Sequence, residues 1–198
     1  MIVGVLAVQG DVPEQARAIG RLGPEVRTIR RPSDLDGLAA LLMPGGESTT
    51  ISDLIDRSDL REPLATRIRS GLPTLATCAG LILLSRDLEP GPGGRDPRPL
   101  GILDISVRRN DFGRQRESFE AWVRVEGLPG GPFPGVFIRA PRILHVGPGA
   151  RPFAWRGEEV VGARVGNVWA LTFHPELTDD PRLHRAFLRL ARGATAPA

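Results

Sequence analysis

The sequence has 198 residues, of which 41% are hydrophobic and 25% are charged. These proportions are typical of domains that fold in water, and they argue against a disordered chain, a collagen or a coiled coil. We therefore expect one globular domain over residues 1–192, followed by a flexible tail over residues 193–198.

The apolar runs also predict where the protein works. None of them reaches the roughly 18 residues that a membrane-spanning helix requires. The short apolar stretch at the N-terminus has neither a basic leader nor a cleavage site beside it. The sequence therefore predicts a cytoplasmic protein with no membrane association.

The charged residues and the single cysteine exclude several kinds of site. The formal net charge is +3, and 26 arginines are interleaved with 23 acidic residues along the chain, which argues against nucleic-acid binding. The chain has no lysine, so it cannot hold a carbonyl cofactor as a Schiff base. One cysteine cannot form an intramolecular disulfide or a cysteine-rich metal site.

Strand and helix patterns alternate in the first half of the chain. A continuous apolar run predicts a strand over residues 2–8 that is buried on both faces. A short strand is predicted over residues 26–29, a third apolar run covers residues 38–43, and another buried strand is predicted over residues 72–77. Helical spacing predicts helices over residues 13–22 and 79–85, and two helical pieces within residues 52–70 that are broken near residues 56–59. This alternation predicts a parallel sheet covered by helices, with residues 2–8 as its central strand.

The second half of the chain has a different pattern. Residues 90–99 contain four prolines and three glycines, which predicts a surface loop. Shorter, more alternating strands are predicted over residues 103–107, 119–125, 136–138, 143–146, 159–165 and 167–173. Their pattern is that of antiparallel additions to the sheet. A terminal helix is predicted over residues 181–191.

The clearest chemical pattern follows the strand over residues 72–77. Cys78 stands between this strand and a predicted helix, and its neighbours Thr77, Ala79 and Gly80 are small. Small residues permit the sharp strand-to-helix turn of a nucleophile elbow, and the start of a helix favours the reactive thiolate. The alternative is that Cys78 is a small buried hydrophobic residue.

A thiol nucleophile needs a base, and the chain has three histidines. His184 falls among arginines on the terminal helix and is predicted to be solvated, whereas His145 lies in a short strand and is predicted to be structural. His174 ends an apolar strand and is followed by Pro175 and Glu176. Residues i and i+2 of an extended segment point the same way, so Glu176 can orient the His174 ring.

A third pattern follows the strand over residues 38–43. Gly45 and Gly46 let the backbone present N–H groups to a ligand, which suits an oxyanion hole or an anion site. A phosphate-binding loop is the rival interpretation, but the chain lacks both the GxxxxGK[ST] pattern and any lysine. Ser48 or Thr49 can also cap the helix that follows.

Together these segments resemble a known family. PGGESTT at residues 44–50, TCAG at 77–80 and HPE at 174–176 resemble the motifs of the class I, or triad, glutamine amidotransferases. Five segments are similar to those of the glutaminase subunits of bacterial pyridoxal 5'-phosphate synthases. They are VQG at residues 8–10, RNDFGRQ at 109–115, SFE at 118–120, FIRAP at 137–141 and HPELT at 174–178. The resemblance runs from residue 2 to about residue 190.

The resemblance implies a fold and a set of site residues. The fold is a three-layer, flavodoxin-like α/β arrangement with a mostly parallel central sheet, flanking helices and antiparallel additions. Cys78 is implied as the nucleophile, His174 as the general base and acid, and Glu176 as the residue that orients His174. The backbone N–H groups of Gly46 and Ala79 would form the oxyanion hole. The implied glutamine-binding residues are Gly46, Glu47, Ser48, Arg109, Ile138 and Arg139.

The resemblance also implies a reaction and a partner. L-Glutamine is hydrolysed to glutamate and ammonia through a cysteine thioester, with no cofactor and no metal. The ammonia passes through a tunnel to a pyridoxal 5'-phosphate synthase subunit in a hetero-oligomer, and that subunit would supply the lysines that this chain lacks. Arg109 or Arg139 can pair with a carboxylate of the substrate, and Glu47 can pair with its ammonium.

Other functions stay open at the level of the sequence. The nearest is an amidotransferase that serves another acceptor, in an imidazole-forming or guanine-forming pathway, although residues 109–115 and 137–141 argue against it. A catalytically dead binding subunit and a related α/β peptidase are more distant alternatives. One residue departs from the family pattern, because Ala76 stands where glycine is usual and adds a methyl group to the elbow.

Overall fold

The structure is a computed structural model of the chain, and it describes residues 1–90, 95–109 and 118–195. The strands, in chain order, are β1 (Ile2–Leu6), β2 (Glu25–Ile29), β3 (Ala40–Met43), β4 (Thr74–Thr77), β5 (Ser85–Glu89), β6 (Leu103–Arg108), β7 (Ser118–Val125), β8 (Phe133–Ile138), β9 (Arg142–Val146), β10 (Arg151–Arg156), β11 (Glu159–Val165) and β12 (Val168–Leu171). The helices are α1 (Val12–Gly20), α2 (Ser48–Arg57), α3 (Arg61–Arg69), α4 (Ala79–Leu84) and α5 (Arg182–Thr195), with short 3-10 turns at Pro32–Leu35 and Pro175–Leu177.

Nine of these strands form one sheet, in the order β2-β1-β3-β4-β12-β11-β10-β7-β8. The first five in this order are parallel, and they follow the 2-1-3-4-5 order of flavodoxin-like folds. The remaining four pair antiparallel, which confirms the additions predicted over residues 119–125, 136–138 and 159–165. The other predicted additions are wrong: β6 and β9 form a separate three-stranded sheet with β5, and β12 pairs parallel with β4. The predicted central position of β1 is wrong, because β1 lies second from the edge. A strand there is still covered on both faces, so its apolar run does not distinguish the two positions.

Apolar cores cover both faces of the parallel strands. Leu41 and Ala76 belong to the core formed with α2, α3 and α4, whereas their neighbours Leu42 and Leu75 belong to the core formed with α1 and α5. Successive strand residues point to opposite faces, so both faces of each of these strands contribute apolar side chains to a core. The result is the predicted three-layer α/β arrangement.

The structure differs from the predicted elements at two strands. β5 directly follows α4 and begins at Ser85, the last residue of the helix predicted over residues 79–85. β10 begins with Arg151 and Pro152 and has no regular alternation of buried and exposed residues. Neither segment carries a strand pattern in its sequence. β5 is mostly polar. β10 pairs with β11 through an irregular register, which interrupts the alternation of inward and outward side chains that marks a strand.

The C-terminal boundary also differs. α5 runs to Thr195, past the helix end predicted at residue 191 and into the predicted tail, while residues 196–198 lie outside the described residues. A single glycine lowers helix propensity but does not by itself end a helix.

Part of the loop predicted over residues 90–99 is hydrogen-bonded to α2 and α3. The backbone N–H of Arg98 donates to Ser52 Oγ at 3.0 Å, and the Arg61 guanidinium donates to the carbonyl oxygen of Arg98 at 2.7 Å. Residues 91–94 of this loop lie outside the described residues.

Within the three described stretches, no helix is long and apolar enough to cross a membrane.

Candidate active site

A cavity of about 150 Å³ lies where the carboxyl ends of the parallel strands meet, which is the usual place for a ligand in an open α/β sheet. It is lined by Asp11, Gly46, Glu47, Ser48, Cys78, Ile82, Arg109, Ile138, Arg139 and His174. The predicted site residues are thus brought together, although Glu176 and Ala79 are not part of the lining. Asp11 and Ile82 line the cavity without having been predicted.

Cys78 joins β4 to α4 in a strained backbone conformation. Its φ is 48° and its ψ is −104°, and a positive φ is rare for any residue with a side chain. Its N–H donates to the carbonyl oxygen of Leu171 in β12 at 2.9 Å, and its carbonyl accepts from the N–H of Ile82 at 3.2 Å. This geometry is the sharp turn that the small residues around Cys78 predict.

The residues around the elbow fit it closely. A Cβ on Gly80 would lie 2.2 Å from the carbonyl oxygen of Met43, so a larger residue would push α4 away from β3. Ala76, which replaces the usual glycine, is fully buried and pairs with Met43 and Ala170. Its φ is not positive, so its methyl group adds no backbone strain to the turn.

His174 is held between Cys78 and Glu176. Its Nδ1 lies 2.8 Å from Glu176 Oε1, and its ring lies close enough to the Cys78 thiol for the two groups to affect each other's charge. The side chain of His174 is 3% exposed and that of Glu176 is fully buried. The extended spacing predicted for His174 and Glu176 therefore does bring the carboxylate to the ring.

The surroundings of His174 favour its charged form. Burial alone would lower the pKa of His174, but the hydrogen bond with Cys78 and the Glu176 carboxylate more than offset this effect and raise the pKa to about 10. At neutral pH an imidazolium therefore lies beside the Cys78 sulfur.

Asp11 is the main residue that the sequence analysis missed. Its Oδ2 lies 3.4 Å from His174 Nδ1, the nitrogen that also contacts Glu176. Asp11 reaches this position because the loops after β1 and β3 touch: its N–H donates to the carbonyl oxygen of Gly45 at 3.0 Å. A Cβ on Gly10 would lie 1.8 Å from the same oxygen. The only sequence clue is that Asp11 follows the carboxyl end of β1.

Glu47, rather than Ser48 or Thr49, caps α2. Its carboxylate accepts hydrogen bonds from the N–H of Thr49 at 3.1 Å and from the N–H and hydroxyl of Thr50 at 2.6 and 2.7 Å. Partial burial raises the pKa of Glu47, but these bonds outweigh it and hold the pKa below its usual value. One residue that lines the cavity, Glu47, therefore stays ionised at neutral pH.

The two predicted substrate-binding arginines occupy different settings. The Arg109 side chain is 14% exposed, lies 3.9 Å from Asp96 and donates to Thr49 Oγ1 at 2.8 Å. Its buried Nε has no hydrogen-bond partner among the described residues. Arg139 is exposed and follows β8 with a positive φ of 42°. Of the similar segment at residues 109–115, only Arg109 lies within the described residues.

The other two histidines lie outside the cavity. His184, predicted to be solvated, is 2% exposed, and burial lowers its pKa to about 4. It lies four residues before Leu188, on the buried side of α5, so the arginines around it in sequence are misleading. His145, predicted to be structural, is exposed on β9.

Comparisons with known proteins agree with this fold and identify a family. A model of the SNO glutamine amidotransferase family matches residues 5–192. Over 196 residues the chain is 50% identical to the pyridoxal 5'-phosphate synthase subunit PdxT of Corynebacterium glutamicum, covering 97% of this chain and 96% of that protein. It is 52% identical over 191 residues to the protein of the same name from Thermus thermophilus, covering 96% and 97%.

Solved structures show the same relationship. The crystal structure of a glutamine amidotransferase matches with a TM-score of 0.89 and 47% identity, covering 97% of this chain and 100% of that one. PurLQS from Thermotoga maritima matches with a TM-score of 0.70 and 15% identity, covering 95% and 97%, which is a likeness of fold alone. On the family match and the identity to these relatives, the chain belongs to the SNO glutamine amidotransferase family.

Proposed function

We propose that this chain is the glutaminase subunit of a pyridoxal 5'-phosphate synthase, and that Cys78, His174 and Glu176 carry out its reaction. The chain hydrolyses L-glutamine to glutamate and ammonia. The observation that carries the assignment of residues is the meeting of a strained cysteine and a buried histidine–glutamate pair at one small cavity.

In the first half of the reaction, the Cys78 thiolate attacks the side-chain amide carbon of glutamine. A C–S bond forms, and the carbonyl oxygen becomes an oxyanion. His174 then gives its proton to the amide nitrogen, the C–N bond breaks and ammonia leaves. Cys78 is left as a glutamyl thioester, and His174 is neutral.

In the second half, water attacks the thioester. His174 takes a proton from the water as its oxygen bonds to the carbonyl carbon, and the C–S bond then breaks to release glutamate. Cys78 returns as the thiolate and His174 as the imidazolium. Glu176 accepts from His174 Nδ1 throughout, which holds the ring in one orientation and stabilises its positive charge. The scheme uses only groups of this chain and water.

The oxyanion is assigned to two backbone N–H groups, those of Gly46 and Ala79. Gly46 lines the cavity, and Ala79 directly follows the nucleophile at the start of α4. Two such donors stabilise the charge that develops on the substrate oxygen.

Charge complementarity supports recognition of a free amino acid. The ionised Glu47 suits the substrate ammonium, and Arg109 or Arg139 suits its carboxylate. Ser48 and Ile138 complete the set of glutamine-binding residues. A cavity of about 150 Å³ suits a small metabolite better than a peptide, which argues against the peptidase alternative.

The partner follows from the relatives, which are named as subunits of pyridoxal 5'-phosphate synthase at 50% and 52% identity. We assign this chain to a hetero-oligomer in which ammonia passes through a tunnel to the synthase subunit. That subunit supplies the lysine chemistry that a chain without lysine cannot perform. A cytoplasmic location fits a lone cysteine that must stay reduced to react.

The test is glutamate release by the chain mixed with the synthase subunit of the same organism. We expect hydrolysis of glutamine by the wild type and none by Cys78→Ser. Glutamate release that persists in Cys78→Ser would contradict the mechanism. Hydrolysis of peptides in place of glutamine would contradict the proposed function itself.

A further inference from the structure

A line of buried polar side chains runs from His174 away from the cavity. Gln15 and Thr77 are both fully buried, as is the side chain of Glu176. These residues come from α1, β4 and the 3-10 turn after β12. Burying a polar group costs free energy unless the group is hydrogen-bonded. We therefore expect these buried side chains to hydrogen-bond to one another.

The hydrogen bonds along this line have one direction. The Gln15 Nε2 amide donates to Thr77 Oγ1 at 3.0 Å, and the Thr77 hydroxyl donates to Glu176 Oε1 at 3.4 Å. The amide nitrogen can only donate, and a hydroxyl has a single proton. Gln15 therefore leaves the Thr77 proton to point at Glu176.

Both donors to Glu176 act on the same oxygen. Oε1 accepts from His174 Nδ1 at 2.8 Å as well as from Thr77, whereas the buried Oε2 has no hydrogen-bond partner within the described part of the chain. Because nothing described holds Oε2, the orientation of the carboxylate depends on the two bonds to Oε1. The Thr77 bond is long for an O–H···O contact, and hydrogen bonds at catalytic groups commonly shorten when substrate binds.

We propose that Gln15 and Thr77 are positioning residues that set the Glu176 carboxylate, and through it the His174 ring. The proposal rests on the proposed function, because it concerns how the groups of that reaction are held. Neither Gln15 nor Thr77 lines the cavity, so their effect on the reaction passes through Glu176. Thr77 directly precedes Cys78. The same turn of the chain therefore positions the nucleophile and the hydroxyl that holds Glu176, the partner of His174.

The principal test is Thr77→Val, which keeps the shape of the side chain and removes the hydroxyl. With the synthase subunit present, we expect kcat for glutamine to fall about 10-fold, the effect of losing one hydrogen bond to a charged group, with KM changed less than about twofold. Thr77→Ser should restore most of kcat.

The matched control is Thr74→Val. Thr74 lies in the same strand, is also fully buried, and donates its hydroxyl to the carbonyl oxygen of Leu72 at 2.9 Å, with no connection to Glu176. We expect wild-type kcat from this variant. Gln15→Leu should lower kcat about threefold alone and have little further effect in Thr77→Val, because Gln15 acts through Thr77.

The outcomes separate this proposal from the proposed function. A wild type with no glutaminase activity beside its partner would contradict the function. An active wild type with equal kcat in Thr77→Val and Thr74→Val would overturn the positioning role. If circular dichroism shows that Thr77→Val is unfolded, Gln15→Leu decides, and an unchanged kcat in that variant overturns the proposal.

Discussion

The side-chain oxygen of Gln9 accepts a hydrogen bond from the backbone N–H of Glu47 at 2.9 Å. This bond fixes the peptide unit between Gly46 and Glu47, next to the N–H group assigned to the oxyanion hole. A Cβ on Gly46 would lie 2.5 Å from the same Gln9 oxygen, so the close approach requires glycine. The state of the oxyanion hole thus depends on the loop after β1.

We predict that the chain alone is a poor glutaminase and that the synthase subunit activates it through this loop. Gln9→Ala should lose most of the activation, because the Gly46–Glu47 peptide loses the bond that fixes it. Glutamate release is measured with and without the synthase subunit, and the exposed His145→Gln serves as the control. Full activity without a partner, or activation of Gln9→Ala equal to that of the wild type, would disprove this coupling.

Cys78 should be the residue alkylated by 6-diazo-5-oxonorleucine, because the cavity aligns this glutamine-like electrophile with the thiol. Mass spectrometry of the digested protein locates the label. Labelling that persists in Cys78→Ser, or a wild type that resists the reagent even beside its partner, would count against Cys78 as the nucleophile.

Glu176→Gln should keep the fold and lower kcat by about 10³–10⁴-fold, because the amide no longer stabilises the imidazolium or selects the right form of the ring. KM should change much less. Glu62→Gln, an exposed substitution on α3, provides the control. Near wild-type turnover in Glu176→Gln would make Glu176 a purely structural residue.

His174 should titrate near pH 10 in the wild type, and at lower pH in both Cys78→Ala and Glu176→Gln. Each substitution removes a group that favours the imidazolium, while the burial that opposes the charge stays. The measurement is an NMR titration of the three histidine rings, with His174→Gln identifying the signal. A wild-type His174 that titrates near 6.5 would show that the thiol and carboxylate do not hold the proton.

His184 should make the protein sensitive to acid. Burial lowers its folded pKa to about 4 from 6.5, so below pH 6.5 the unfolded chain binds a proton that the folded chain does not. The free energy of unfolding should therefore fall as the pH drops from 6.5 to about 4. His184→Leu should flatten this decline in thermal unfolding experiments, whereas His145→Gln should not. An equal decline in wild type and His184→Leu would refute the assignment.

The sequence predicts most of the parallel half of the fold, because a strand that is buried on both faces is rich in apolar residues. β1, β3 and β4 are runs of apolar residues, and the elbow at Cys78 requires small neighbours that can be read directly. β5 and β10 have no such run, since β5 is mostly polar and only two adjacent residues of β10, Phe153 and Ala154, are buried. Their strand pairing depends on neighbours that are distant in sequence.

The sequence predicts the site residues that belong to local motifs. It does not predict those that reach the site through contacts between segments distant in sequence. Cys78, His174 and Glu176 stand at positions whose local pattern indicates their chemistry. Asp11 reaches His174 only because the loop after β1 touches the loop after β3, and Gln15 reaches Thr77 only because α1 packs on the sheet. No local pattern encodes such packing. His184 is a different case, because its helical spacing from the buried Leu188 indicates the inner side of α5, whereas its arginine neighbours in sequence suggest the surface.

Because β4 lies between β3 and β12, its two edges cannot become paired at the same time during synthesis of the chain. β3 and β4 are complete by Thr77, but the strand on the other side of β4 begins only at Val168. Until then, one edge of β4 is unpaired and the Cys78 N–H lacks its acceptor on Leu171. A nascent or truncated chain therefore carries the thiol without its base. The strand order itself withholds glutamine hydrolysis until the chain has been synthesised past β12 and Glu176.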